Sequence, residues 1–173
     1  MAHIVIRPAM RADLARLTAI YNHYVLTSPV TFDLEPFTVE QRSGWFQEHG
    51  ETGPYRLLVA DEDGLVNGYA STSRFRARAA YVTTVEASIY CASEAVGRGI
   101  GSALYGELFA AIAGEDVNRI VAGITLPNDA SVALHRSFGF VRAGVFSQNG
   151  RKFDRYWDVA WFERPLVRPA PLK

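Results

Sequence analysis

Apolar positions recur along this chain with two periods, and the changes of period outline its elements. Asp13 precedes Leu14, Leu17, Ile20, Tyr21, Tyr24 and Val25, a spacing of three and four that gathers one apolar stripe on a helix. Ile100, Leu104, Leu108 and Ile112 recur at every fourth position and predict a second striped helix reaching about Gly114. Thr38 and Gln41 form a capping-box pair, which predicts another helix through about His49, closed by Gly50, Gly53 and Pro54. A short helix is expected from Asn128 to Ser137, behind Pro127.

The other apolar runs read as strands. His3 to Arg7 ends at Pro8; Tyr55 to Ala60 and Leu65 to Ser73 flank Asp61-Glu62-Asp63-Gly64, a hairpin signature in which glycine supplies positive φ. In the run from Tyr81 to Cys91, Val85, Ala87 and Ile89 share one face. Thr84, Glu86, Ser88 and Tyr90 share the other, so Glu86 points away from the aliphatic row. Arg119 to Ile124 is a further strand, and Val141 to Phe146 with Phe153 to Phe162 predict a closing hairpin that turns at Asn149-Gly150. The resulting order, β-α-α-β-β-β-α-β-α-β-β, predicts one mixed sheet with helices on its faces.

Length and composition narrow the picture. The 173 residues suit one domain over 1–165, and a loose tail is expected at 166–173, where prolines cluster. Lys and Arg number 18, as do Asp and Glu, so no global field attracts nucleic acid or an anionic membrane. No stretch approaches the ~20 apolar residues of a membrane span, and the N-terminal apolar run is too short for a signal peptide. Cys91 is the one cysteine, which excludes an internal disulfide and fits a reducing, cytoplasmic setting. It falls on the apolar row of its strand, without a partner at recognisable spacing, and reads as core. His3, His23 and His49 lack metal-ligand spacing, so no metal is implied.

Candidate chemistry concentrates around Val96-Gly97-Arg98-Gly99-Ile100-Gly101-Ser102, between a strand and a helix. Successive backbone N–H groups and the helix dipole bind phosphate at such a turn without basic side chains. The spacing fits neither a Rossmann fingerprint nor a P-loop, and a plain tight turn is the alternative. Glu86 lies on the strand leading into the turn; the five residues from it to Cys91 span roughly 17 Å at ~3.3 Å per residue. A pantetheine arm laid along that strand sets a thioester beside a carboxylate while its pyrophosphate rests on the turn.

With Thr31-Phe32, Tyr81-Val82-Thr83-Thr84-Val85-Glu86, the Gly-rich turn, Leu126-Pro127-Asn128-Asp129-Ala130-Ser131, Leu134-His135, Gly139-Phe140 and Trp157-Asp158-Val159, nearly the whole chain resembles GNAT-superfamily N-acetyltransferases. The branch it resembles acts on phosphinothricin and methionine sulfone. The resemblance implies an α/β (α+β mixed) fold, with a central, largely antiparallel twisted sheet of roughly seven strands and about four helices. It also implies acetyl-CoA as co-substrate, held along Ser88, Ile89 and Tyr90, at Val96 to Ser102, and by Asn128 and Ser131. Glu86 then serves as catalytic base, against the alternative of a structural ion pair. His135 serves in proton transfer or, alternatively, as a hydrogen-bonded helix histidine. Arg76, Arg78 and Tyr81 meet the acid groups of a small amino-acid substrate, or else form a solvated basic loop; Phe32 walls the substrate or joins the core. Asn128 orients pantetheine amides, caps its helix, or does both. Val96 departs from the Arg or Gln usual at that position of the family, which leaves anion binding to the backbone from Gly97 onward. The family implies a homodimer. A protein or peptide acceptor, and a non-catalytic acyl-CoA-binding module, are the rival functions.

Overall fold

The computed structural model describes residues 4–166; His3 of the first expected strand and nearly all of the expected tail lie outside them. Seven strands form one sheet: β1 (Ile4–Pro8), β2 (Leu57–Glu62), β3 (Leu65–Arg74), β4 (Thr84–Cys91), β5 (Arg119–Leu126), β6 (Val141–Lys152) and β7 (Arg155–Pro165). They lie in the order β1-β2-β3-β4-β5-β7-β6, antiparallel throughout except for the parallel pair β4–β5. Among the described residues four α-helices accompany the sheet: α1 (Leu14–Thr27), α2 (Ser43–Gln47), α3 (Ile100–Ala111) and α4 (Asp129–Ser137). The mixed, largely antiparallel architecture matches the expectation.

The stripes read from the sequence are the core. Leu17, Leu104, Leu108, Ile112, Val59 and Ile120 are fully buried, each of the leucines contributing about 1.5–3 kcal/mol by leaving water. Ile89 approaches α3 at Gly101, whereas Tyr90 packs against Tyr21 and Tyr24 of α1. Neighbouring residues of a strand point to opposite faces, so α3 and α1 cover opposite sides of β4. Glu86 shares the α1 side with Ser88 and Tyr90.

Four expectations need correction. The Thr38–Gln41 box forms, with Thr38 N–H donating to Gln41 Oε1 at 2.7 Å and Gln41 N–H to Thr38 Oγ1 at 3.2 Å. Regular helix is nonetheless confined to five residues around Gly44, because inward packing of Trp45 and Phe46 sets its extent more than propensity does. Next, β4 begins at Thr84 rather than Tyr81; Ala79–Tyr81 make one 3₁₀ turn, with Tyr81 and Val82 exposed. The last hairpin turns at Phe153 and Asp154, φ 52° and 55°, and not at Asn149-Gly150. Gly150 lies inside β6, where a Cβ would stand 2.2 Å from the Phe32 ring, so this glycine serves close approach rather than a turn. Finally, Leu166 belongs to the fold instead of the tail: it is buried, and its N–H donates to Asn118 C=O at 3.1 Å.

Candidate active site

β4 and β5 pair only through Thr84–Arg119, Val85–Ile120 and Glu86–Val121. Beyond Glu86, β4 follows β3 to Cys91 while β5 follows β7 to Leu126, so the two strands part. The wedge between them opens into a cleft of about 560 Å³ whose wall includes Ser88, Ile89, Tyr90, Val96, Asn128 and His135. Ala92 N–H bonds to Asn67 C=O of the β3 side, and alternation along the ladder turns the N–H groups of Ala87, Ile89 and Cys91 the other way, toward the wedge. By the same alternation Tyr90 offers the cleft its ring, while its N–H faces β3.

The Gly-rich turn closes one end of the cleft. Gly97 and Gly99 adopt φ values of 82° and 79°, which L side chains rarely take, and Gly99 is the N-cap of α3 without a side-chain capping bond. The N–H groups of the first turn of α3 are thus left to an anion. Gly97, Gly99, Ile100 and Gly101 line the cleft, as does the exposed Val96. Arg98 and Ser102 do not line it; the Arg98 guanidinium turns to Glu62, away from the cleft.

On the opposite wall, Asn128 caps α4, its Oδ1 accepting from Ser131 N–H at 3.1 Å. It lines the cleft as well, and capping engages its Oδ1 alone, which leaves Nδ2 available there. His135 is buried between two partners. Its Nδ1 lies 2.8 Å from Ser131 C=O, which only accepts, so Nδ1 carries the proton and Nε2 accepts from the Tyr105 hydroxyl at 3.0 Å. Burial lowers its pKa against the pull of the Ser131 carbonyl, and the ring is neutral with both nitrogens engaged.

Glu86 stands at the last paired step before the wedge, across from Ser73 of β3. Burial raises its carboxyl pKa, and the nearby Arg76 charge partly opposes that rise. Arg76 itself lies over the Phe75 ring, 4.8 Å from its centre; Tyr81 meets the same ring edge-on. Arg78 is exposed beside them, its C=O capping the 3₁₀ turn. Phe32 covers Gly150, and its loop is tied to β6 by Lys152, whose buried Nζ donates to Thr31 C=O at 2.9 Å. Cys91 is not fully core: it is half-buried and lines the cleft, with burial holding its thiol above the ordinary pKa and hence protonated. Among the described residues no three His, Cys, Asp or Glu side chains converge to hold a metal. No helix among them is long and apolar enough to cross a membrane.

Sequence reasoning missed a second cavity, of about 220 Å³, on the Glu86 side of the sheet. Ser88 and Tyr90 line both cavities and divide them. Its other walls include Tyr21, Arg42, Trp45 and Tyr69, brought together from α1, α2 with its N-cap, and β3. No local signal marks Arg42 or Tyr69, since only the Tyr69–Tyr90 strand pairing and the docking of α2 assemble them.

A split sheet with a helix N-terminus open to an anion, and a buried carboxyl at the fork, are the features of a group transferase that takes a phosphorylated carrier. The acetyltransferase (GNAT) domain family matches residues 6–161. The chain belongs to this family and is an acetyl-CoA-dependent N-acetyltransferase. A phosphinothricin N-acetyltransferase of Streptomyces coelicolor is 54% identical over 167 residues, 95% of this chain and 98% of its own. An L-methionine sulfoximine/L-methionine sulfone acetyltransferase of Salmonella typhimurium is 36% identical, over 96% of this chain and 97% of its own. The crystal structure of a GNAT superfamily phosphinothricin acetyltransferase from Sinorhizobium meliloti, in complex with AcCoA, has a TM-score of 0.89 at 37% identity, covering 98% of this chain and 92% of that one.

Proposed function

We propose that this enzyme acetylates the amino group of a small amino acid or analogue of the phosphinothricin, methionine sulfone or sulfoximine type, by direct transfer in a ternary complex. The observation that carries the reading is Glu86, a carboxyl raised by burial at the fork between β4 and β5, next to both cavities' common wall. The names of the relatives supply the substrate class.

The cleft suits acetyl-CoA. Its apolar walls of about 560 Å³ accept a pantetheine arm, the N–H groups of Ala87, Ile89 and Cys91 meet its amides and carbonyl, and the turn from Gly97 to Gly101 receives the pyrophosphate. When bound, acetyl-CoA supplies an acetyl group activated as a thioester. Glu86 takes the proton from the acceptor ammonium, directly or through water, and so frees the amine. Arg76, Arg78 and Tyr81 hold the acceptor carboxylate, and Phe32 closes the apolar side of its site. His135 positions rather than reacts in this reading: with Nδ1–H committed to Ser131, it anchors Tyr105 at the cleft wall.

The balanced charge supports a small-molecule acceptor over nucleic acid, and the lone cysteine supports a reducing, cytoplasmic setting. A homodimer is supported by the edge strand β6, which leaves Val141, Val145 and Phe146 exposed. Glu86→Gln tests the core of the proposal. Thiol release should fall at least ~100-fold while acetyl-CoA affinity, read by calorimetry, holds; undiminished turnover across the pH range would remove Glu86 from the chemistry.

A further inference from the structure

The second cavity contains a charge that the fold leaves incomplete. Arg42 is 6% exposed, and its guanidinium lies 3.9 Å from the ring centre of Trp45 and 4.4 Å from that of Tyr21. Rings stabilise a cation but do not accept its in-plane N–H bonds. Neither Nη1 nor the hydroxyl of Tyr69 on the same cavity wall makes a well-formed hydrogen bond, although the two groups lie close enough for the Arg42 charge to act on that hydroxyl. Asp33, the carboxylate in this cavity, receives the Tyr21 hydroxyl and forms no ion pair with Arg42. Buried donors in that condition are costly unless something accepts from them.

Their position says what that something is. Ser73, Ser71 and Tyr69 line the cavity and face Glu86, Ser88 and Tyr90 across the β3–β4 ladder, which covers roughly 13 Å from the Glu86 row to the Tyr69 row at ~3.3 Å per residue. A short acceptor side chain and the reach of an arginine divide that span between them. A volume of about 220 Å³ admits a small polar group.

We propose that Arg42 and Tyr69 bind the tail of the acceptor, donating to an oxo group of phosphinate, sulfone or sulfoximine type, while its carboxylate and amine stay at Arg76, Arg78 and Glu86. The inference rests on the acceptor class proposed above and adds the residues that select its tail. The pair makes the site prefer a compound with tail oxygens over an otherwise identical one without them.

Methionine sulfone and methionine share the amine and the carboxylate and differ in two oxygens, so their ratio of kcat/KM reads this contact. The wild type favours the sulfone, and Tyr69→Phe lowers that preference about tenfold through KM for the sulfone. Arg42→Lys, which keeps the charge and loses the planar fork, lowers it as well. Acetyl-CoA affinity and Tm are measured alongside; if Arg42→Lys does not fold, Tyr69→Phe, which removes one oxygen and keeps the ring, carries the comparison. A proportionate loss on both substrates, or a wild type that does not distinguish them, overturns the proposal. If the wild type acetylates neither compound, the acceptor class proposed above fails, and calorimetric titration with methionine sulfone decides the contact. Weaker binding to Tyr69→Phe than to the wild type then supports it, and equal binding or none overturns it.

Discussion

The role proposed for Glu86 rests on where the carboxyl is kept. Burial raises its pKa and the Arg76 charge restrains the rise. A base must be deprotonated to act, so activity falls as pH drops through the raised value. Arg76→Met removes the restraint, and the acid limb of the kcat/KM profile should move to higher pH; a limb left in place would show that Arg76 does not act on Glu86. The direction of Glu86 was legible from strand alternation alone. Its burial was not, because that comes from the residues packed around it. His135 shows the reverse: its residue type suggested proton transfer, yet Ser131 and Tyr105 fix it as a neutral, doubly bonded ring. Such bonds depend on neighbours 4 and 30 residues away, and only the nearer one has a helical spacing that the chain displays.

At the scale of elements, one motif contains glycines of two kinds. Gly97 and Gly99 serve backbone conformation, at φ near 80°, whereas Gly101 sits inside α3 facing Leu134. Gly99→Ala forces an L residue into the left-handed region, at ~1–2 kcal/mol, in the turn that aims the N–H groups of α3. Acetyl-CoA binding should weaken about tenfold. Gly101→Ala would bring a Cβ to 3.1 Å from Leu134 Cδ2, the end of a flexible side chain, and should weaken binding less. Calorimetry on the two variants checks the contrast; equal losses would mean that the turn acts by bulk rather than by backbone direction. Gly150 carries a third meaning, contact with Phe32, and for that reason its neighbourhood looked like a turn to local rules without being one. The capping box at Thr38 formed as its chemistry requires, while the helix behind it stayed short because Gly44 and aromatic docking governed it.

Over the whole molecule, the parting of β4 and β5 turns a continuous sheet into a binding site, and the exposed β6 edge offers a surface for a second copy. Val141→Lys combined with Val145→Lys places charge on that edge and should shift sedimentation from dimer to monomer. A wild type that sediments as a monomer at all concentrations would refute the dimer. By itself, the sequence determined the order of elements, the striped faces of α1 and α3, the side of its strand on which Glu86 lies and the Gly-rich turn before α3. Each of these follows from residue period or from local backbone chemistry, acting over a few positions. Only the tertiary structure decided where the sheet splits, that Gly150 yields to Phe32, that His135 is held neutral, and that Arg42 and Tyr69 meet in one cavity beside the Gly-rich cleft. Strand pairing and burial bring together residues far apart in the chain, and no local pattern records which of them will meet.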